Sequence, residues 1–287
     1  MKPINNSTMD NDELIALVEK MPAFPNSVQR IIQLTSDINS SGKEIVEVIE
    51  SDPVMTVKIL KVINSPFYGL PKKINSIQRA VVYIGMNTIK NLALSVASIG
   101  VLNPKNKAGF NTHAFLLHSL TTAAICKKLA ERQGVPQADC SDFFVAGLLH
   151  DFGKVVFAEF KAEDFRKALQ KSAAEQISLH RCESECIGMD HSQAGALLAE
   201  KWAFDQLLVD AINHHHASNP HHLLTQCLFA ANQISKKMEF GHSGNSIVEE
   251  FPPAVDSLFG MGLNELIESW EDLTTLRSEA LSFISGT

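Results

Sequence analysis

The residues with the most to offer chemically form the run LLHDFGK, Leu148 to Lys154, in which His150 and Asp151 stand side by side. Ala146, Gly147, Leu148 and Leu149, small or apolar, lead into it. Titratable side chains emerging from such a run are costly to bury unless they are paired or bound to a metal. A neutral imidazole beside a carboxylate is half of a divalent-metal site. Gly153 permits close approach or a helix end, and Lys154 supplies a compact cation able to meet a phosphate. A plainer arrangement fits the same residues: a helix end capped by His150, with Asp151 paired to Lys154.

The remaining histidines bear on that choice. Ten of the eleven lie between His113 and His222, so titratable chemistry concentrates in the second half of the chain. His118 falls between Phe115-Leu116-Leu117 and Leu120, and His191 follows Gly188-Met189-Asp190 at a helix start. A lone histidine on an apolar face is ordinarily a satisfied core residue. His118, His150 and His191 together with Asp151 point instead to convergence on a cation. The run His214-His215-His216 ends an apolar helix, where imidazoles meet the negative pole of the helix dipole. Either that explains the run, or one or two of its rings are further ligands, His214 and His215 ahead of His216. His221 and His222 follow Pro220 in a loop and read as solvated. Cys182 and Cys186, with His180 just before them, lack the second ligand pair of a zinc site and read as reduced, partly buried thiols.

The elements that must position these residues read as helices throughout. Leu14, Ile15, Leu17 and Val18 define a helix from Asp12 to Met21-Pro22, and a second starts near Asn26 with Val28, Ile31, Ile32 and Leu34 inward. After a turn at Ser40-Ser41-Gly42, Ile45 to Ile49 mark a third. Asp52-Pro53 is an N-cap acceptor followed by proline at the first helical position. The helix it starts carries Val54, Met55, Val57, Ile59, Leu60, Val62 and Ile63 to a turn-rich loop, NSPFYGLPKK. Phe67 and Tyr68 in that loop either bind a partner or tuck between helices. Ser76 caps a short helix, Gly85 breaks it, and Asn87 opens another that ends near Gly100. Asn103 to Asn111 is polar and contains Pro104 and Gly109, which marks a boundary between subdomains. Beyond it, Thr112 to Gln133 carries His118, and the helix from Ser141 delivers His150 and Asp151. Glu159 to Ser184 is charged and amphipathic. Asp190 caps a helix with Ala194, Leu197, Leu198 and Trp202 inward; Leu207 to Ile212 lead into the histidine run; Leu223 to Lys236 is helical. Gly241 to Pro253 is loop, and one last helix packs Leu266 to Ile284. No alternating strand pattern or repeat period is present, so the fold class is all-α, packed helices in two subdomains.

The 287 residues carry a formal net charge of −7 and are 45% apolar, enough for one large or two modest cores. A mildly acidic chain with no Lys/Arg block lacks the usual footprint of nucleic-acid binding. Polar first residues and the absence of a long apolar run predict no signal peptide and no membrane span, hence a cytoplasmic protein. An odd number of cysteines in such a chain predicts no disulfide framework.

The order His118, His150-Asp151, Lys154, His191 and His214-His215 resembles the HD superfamily of metal-dependent phosphohydrolases. More narrowly, the chain resembles the HDOD family, the HD-related output domain of bacterial signalling proteins. MPAFPNSVQRIIQL and IESDPVMTVKILKVINSPFYGLPKKINSIQRAVVYIGMNTIKNLAL are similar to the half that precedes the HD-like part in that family. The likeness covers roughly Met21 to Ile234. It implies an N-terminal half over 12–102, an HD-like half with a metal site over 111–240, and a C-terminal helical extension over 254–285. It implies no activity, since HDOD domains typically lack several HD ligands. This chain keeps more of them, but Asn232 stands in the place of the closing aspartate, and asparagine offers a cation no negative charge. HHHASNPHH replaces the GYP loop of the branch that hydrolyses cyclic di-GMP, so that substrate is not carried over.

Two functions follow as expectations. One is a bacterial regulatory module that retains a metal site and works mainly through regulatory protein partners. The other is a phosphohydrolase of a nucleotide or other phosphoester. In it a divalent ion on His118, His150, Asp151, His191, His214 and His215 activates water, with Asp151 orienting and Lys154 offsetting phosphoryl charge. Imidazole and carboxylate donors suit iron, manganese, zinc or nickel. No nucleic acid or membrane is expected as a partner.

Overall fold

The computed structural model describes residues 11–22, 24–36, 41–65, 68, 70, 72–137 and 139–285. Among them lie seventeen α-helices and no strand. The first six are α1 (Asn11–Glu19), α2 (Asn26–Ser36), α3 (Gly42–Glu50), α4 (Pro53–Ile63), α5 (Ile77–Ile84) and α6 (Met86–Ile99). Then come α7 (Thr112–Arg132), α8 (Cys140–Leu149), α9 (Gly153–Phe160), α10 (Ala162–Glu175), α11 (Leu179–Cys186), α12 (His191–Lys201), α13 (Gln206–Asn213) and α14 (Leu223–Lys237). Three short helices close the chain: α15 (Pro253–Phe259), α16 (Leu263–Glu268) and α17 (Thr274–Ser285).

Local chemistry explains most of these boundaries. Ser41 is not merely part of a turn: it forms a capping box with Glu44 and starts α3, so two orphan amides are satisfied reciprocally. Asp52 accepts from the Met55 amide at 3.0 Å, with Pro53 at the first position of α4. Ser76 caps α5, and Gly85, at φ +79°, ends it and starts α6. The α4 face is narrower than its sequence suggests. Val54 and Val57 are 64% and 65% exposed, because a single apolar stripe meets the core. Leu207 is likewise exposed. The expected single C-terminal helix is three, since Gly260 takes a left-handed conformation after α15 and a turn at 269–273 separates α16 from α17.

The buried apolar side chains form one continuous core. α7 runs through the second half, packed against α8, α14 and α17. Gly147 of α8 lets the backbones meet: a Cβ there would lie 2.5 Å from Ala123 Cα. α1 lies against α9 and α12, where the Lys201 ammonium binds the carbonyls of Val18 and Glu19, each at 2.9 Å. Tyr68 is buried with its ring edge-on to Phe144, so it tucks between helices; Phe67 lies outside the described residues. The cysteines are free, and all but the half-buried Cys186 are buried.

Candidate metal centre

Three helix ends and the second turn of a fourth helix meet at Asp151. α8 ends just before His150, α12 begins at His191 and α13 runs out into His215, while α7 presents His118 from its second turn. Two glycine contacts allow this convergence. A Cβ on Gly153 would sit 2.0 Å from the His191 carbonyl oxygen and 2.7 Å from the Gly195 amide, so only glycine lets α9 enter against α12. Gly241, at φ +77°, lies where a Cβ would meet Ala114 O and His118 N at 2.4 Å, and it brings the segment after α14 across α7.

Asp151 divides its oxygens between two sets of rings. Oδ2 lies 3.4 Å from His150 Nε2, 3.7 Å from His118 Nε2 and 2.7 Å from Lys154 Nζ. Oδ1 lies 3.1 Å from His191 Nε2 and 3.7 Å from His215 Nε2. None of His118, His150, Asp151, His191 and His215 is more than 1% exposed.

Three rings are held in one tautomer. His150 Nδ1 meets the Gly147 carbonyl at 2.8 Å and His215 Nδ1 the Ile212 carbonyl at 2.6 Å. A carbonyl only accepts, so each neutral ring carries its proton on Nδ1 and turns an Nε2 lone pair inward. His191 Nδ1 meets the Glu183 carboxylate at 2.5 Å, and its backbone amide donates to the same oxygen at 2.9 Å. Such a carboxylate–imidazole pair is the usual support of a metal ligand.

Burial disfavours protonation of these rings. It lowers His118 well below the usual imidazole range and His215 to about 4. Burial acts the same way on His191, but the neighbouring Glu183 and Asp151 carboxylates outweigh it and leave that ring raised. Burial pulls the Asp151 carboxyl upward, yet His150 and Lys154 hold it well below its ordinary range. The centre therefore sets a carboxylate among Nε2 lone pairs. His118 Nε2, His150 Nε2, His215 Nε2 and Asp151 Oδ1 have no hydrogen-bond partner among the described residues. Buried acceptors facing one another without donors are unfavourable, and a divalent cation is the group that satisfies them. The residues fit a metal. His118, His150 and Asp151 form one set of donors within 4.8 Å of one another, and Asp151, His191, His215 and His216 a second, so the carboxylate is shared.

Of the six residues expected to bind metal, five are brought together and one is not. His214 is exposed and its Nδ1 lies 2.9 Å from the Asp210 carbonyl, one turn back on the outer face of α13. His216, ranked behind His214 in the sequence, lies there instead, its Nε2 3.0 Å from His191 Nε2. Lys154 is buried, with its ammonium on Asp151 and 3.3 Å from Ser243 Oγ. Asn232 is buried on α14 with neither side-chain atom hydrogen-bonded among the described residues. Lys236, one turn further, feels the charges of Asp151 and Lys154; burial lowers its ammonium to about 8. Sequence reasoning missed Glu183. Its signal was position, since Leu179, Cys182 and Glu183 share the buried face of α11.

The HDOD domain family model matches residues 21–218. A protein of unassigned function from Treponema pallidum (strain Nichols) is 25% identical over 249 residues, 84% of this chain and 46% of that one. The chain spans less than half the length of the curated relatives it matches. Among solved structures, an HDOD domain protein of unknown function from Geobacter sulfurreducens superimposes with a TM-score of 0.72 at 24% identity, covering 96% of this chain and 99% of the other. A Shewanella amazonensis SB2B protein provisionally named a phosphohydrolase gives 0.65 at 25% identity, covering 94% and 93%. No helix among the described residues is long and apolar enough to cross a membrane. With this match over more than half its length and with the all-α architecture just described, the chain belongs to the HDOD family.

Proposed function

We propose that this chain is a signalling module whose buried His/Asp centre holds one or two divalent ions, and that it acts mainly through contacts with regulatory proteins. One observation carries the reading: Nε2 lone pairs and a carboxylate oxygen, all at 1% exposure or less, face one another without donors. His118, His150 and Asp151 would hold one ion, and Asp151, His191 and His215 the other, with iron, manganese, zinc or nickel the suitable metals. Asn232 offers a neutral oxygen in place of the charged one expected of a hydrolytic HD site. Ligands at that depth suit an ion that braces helix ends.

The second reading is a metal-dependent phosphohydrolase. It is favoured by an open cleft of about 400 Å³ that reaches His216 and is lined by His180, Arg181 and Glu249, and by the name of the Shewanella relative. Bound metal would supply an activated water there. Asp151 would orient the reacting groups, and Lys154 would need to leave Asp151 to meet a phosphoryl oxygen.

Metal analysis of the purified protein, with phosphodiesterase and phosphomonoesterase assays supplemented by manganese and iron, separates the readings. The module predicts bound metal without turnover. Turnover abolished by His150→Ala and Asp151→Ala would establish the hydrolase, and absence of metal would remove both.

A further inference from the structure

We infer that His180, His216 and Glu249 form a second, cleft-facing site for a divalent transition ion such as zinc, separate from the centre around Asp151. The donors come from three places: His180 from α11, His216 from the residues after α13, and Glu249 from the segment between α14 and α15. Glu249 Oε1 lies 3.7 Å from His180 Nδ1, and its Oε2 lies 3.8 Å from His216 Nδ1. Three donor atoms within 4.8 Å of one another can share one ion, since metal–ligand bonds of about 2.0–2.2 Å put neighbouring ligands roughly 3–4 Å apart. The two imidazoles stack at 4.3 Å with 22° between their planes, which presents both Nδ1 atoms to the same carboxylate.

His216 Nδ1 has no hydrogen-bond partner among the described residues, its side chain is only 8% exposed, and it faces Glu249 Oε2 at 3.8 Å. A buried, unpartnered imidazole nitrogen aimed at a carboxylate is satisfied by a cation held between them. The carboxylate is already anchored: the Glu249 amide donates to Gln233 Oε1 at 2.9 Å, and Ser178 donates its hydroxyl to Oε1. The remaining coordination positions open on the 400 Å³ cleft, beside Ser218 and Arg181, so water or an anionic oxygen completes the shell. Two imidazoles and a carboxylate select a borderline ion over magnesium or calcium.

The site shares only the His216 ring with the inner centre, so the two can be tested apart. Metal-stripped protein is titrated with zinc, and with cobalt(II) followed by visible absorption, and bound metal is counted after desalting. Wild-type protein should retain one equivalent more than His180→Ala or Glu249→Gln, both of which change half-buried rim residues, and a cobalt band should vanish in each variant. Equal stoichiometry and unchanged spectra in the three proteins would overturn the inference. In Asp151→Asn protein, the outer equivalent should persist and be lost on adding His180→Ala. Folded Asp151→Asn protein that binds no zinc would also overturn it. A Glu249→Gln protein that binds none would count against the inner centre alone. Should Asp151→Asn fail to fold, the stoichiometry and cobalt spectra of wild-type, His180→Ala and Glu249→Gln protein decide alone.

Discussion

Replacing Glu183 by glutamine removes the charge that holds the His191 Nδ1 proton while keeping the shape of the side chain. Glu183 is fully buried, and it grips both the ring and the backbone amide of His191. The glutamine oxygen accepts less strongly and its amide can turn a donor toward Nδ1, which would put the ring proton on Nε2, where a ligand needs a lone pair. Loss of a supporting partner of this kind typically weakens metal binding by about 10–100-fold. Competition against a chromophoric chelator should show that drop for Glu183→Gln, and unchanged affinity in the folded variant would mean that His191 is not a ligand. Asp52 offers a residue-scale test of the fold. The Met55 amide and the Ser27 hydroxyl, at 2.7 Å, lower its carboxyl below the ordinary value. A depressed folded-state pKa adds stability above the unfolded value of about 3.9 and loses it as pH falls through the folded value. Asp52→Ala should therefore cost about 1 kcal/mol at neutral pH, and denaturant melts should show the gap closing as the solution is acidified below about pH 4.

At the scale of elements, the centre depends on how closely α9 approaches α12. Gly153→Ala would drive a methyl group into the His191 carbonyl, 2.0 Å from its ideal position. Backbone cannot rotate aside as a flexible side chain can, so α9 must withdraw. Overpacking of this kind costs about 1–3 kcal/mol, and withdrawal also shifts His191. Gly153→Ala should lower both the melting temperature and the retained metal, whereas Gly262→Ala, with open space around its Cβ, should change neither. The same packing explains what the sequence could disclose. Caps and apolar stripes made the helices legible from Asp52, Ser76 and Asp190, because those signals are local. His118, His150 and His191 were legible because imidazoles on apolar faces are unusual. The choice within His214-His215-His216 turned on helical phase. His214 lies four residues after the half-exposed Asp210, and His215 lies three after the buried Ile212, so continuing α13 turns His214 outward. Glu249 and Ser243 had no such phase to follow. They reach their partners through an irregular segment whose course is set by the tertiary contact of Gly241 with α7.

For the molecule as a whole, α6 ties the helices that lead to His150 and His215 to the N-terminal half. α8 and α13 both begin at α6 and both end at the centre. Thr88 and Ser141 share a hydrogen bond of 2.8 Å, Asn91 donates to Asp142 at 2.8 Å, and Lys90 meets Asp205 at 3.1 Å. Thr88, Asn91 and Lys90 are buried on α6; the Thr88–Ser141 bond is shielded from water on both sides and resists separation, while Asp205 is exposed. Helices are stiff, and a ligand that fixes the His150 and His215 ends of this pair also restrains their α6 ends. An ion that binds only the folded state stabilises it by about 2.7 kcal/mol at a hundredfold excess over Kd. At roughly 2–4 °C per kcal/mol for a large domain, that is a rise in Tm of about 5–10 °C. Chelation should reverse that rise, and hydrogen exchange should accelerate in α6 together with α8 and α13. Exchange that quickens at the His150 and His215 ends but leaves α6 unchanged would confine the ion's effect to its own pocket. Exchange that quickens in α6 would mean that metal occupancy is felt in the N-terminal half, where Val54, Val57, Val82 and Tyr83 stand exposed and a regulatory partner could read it.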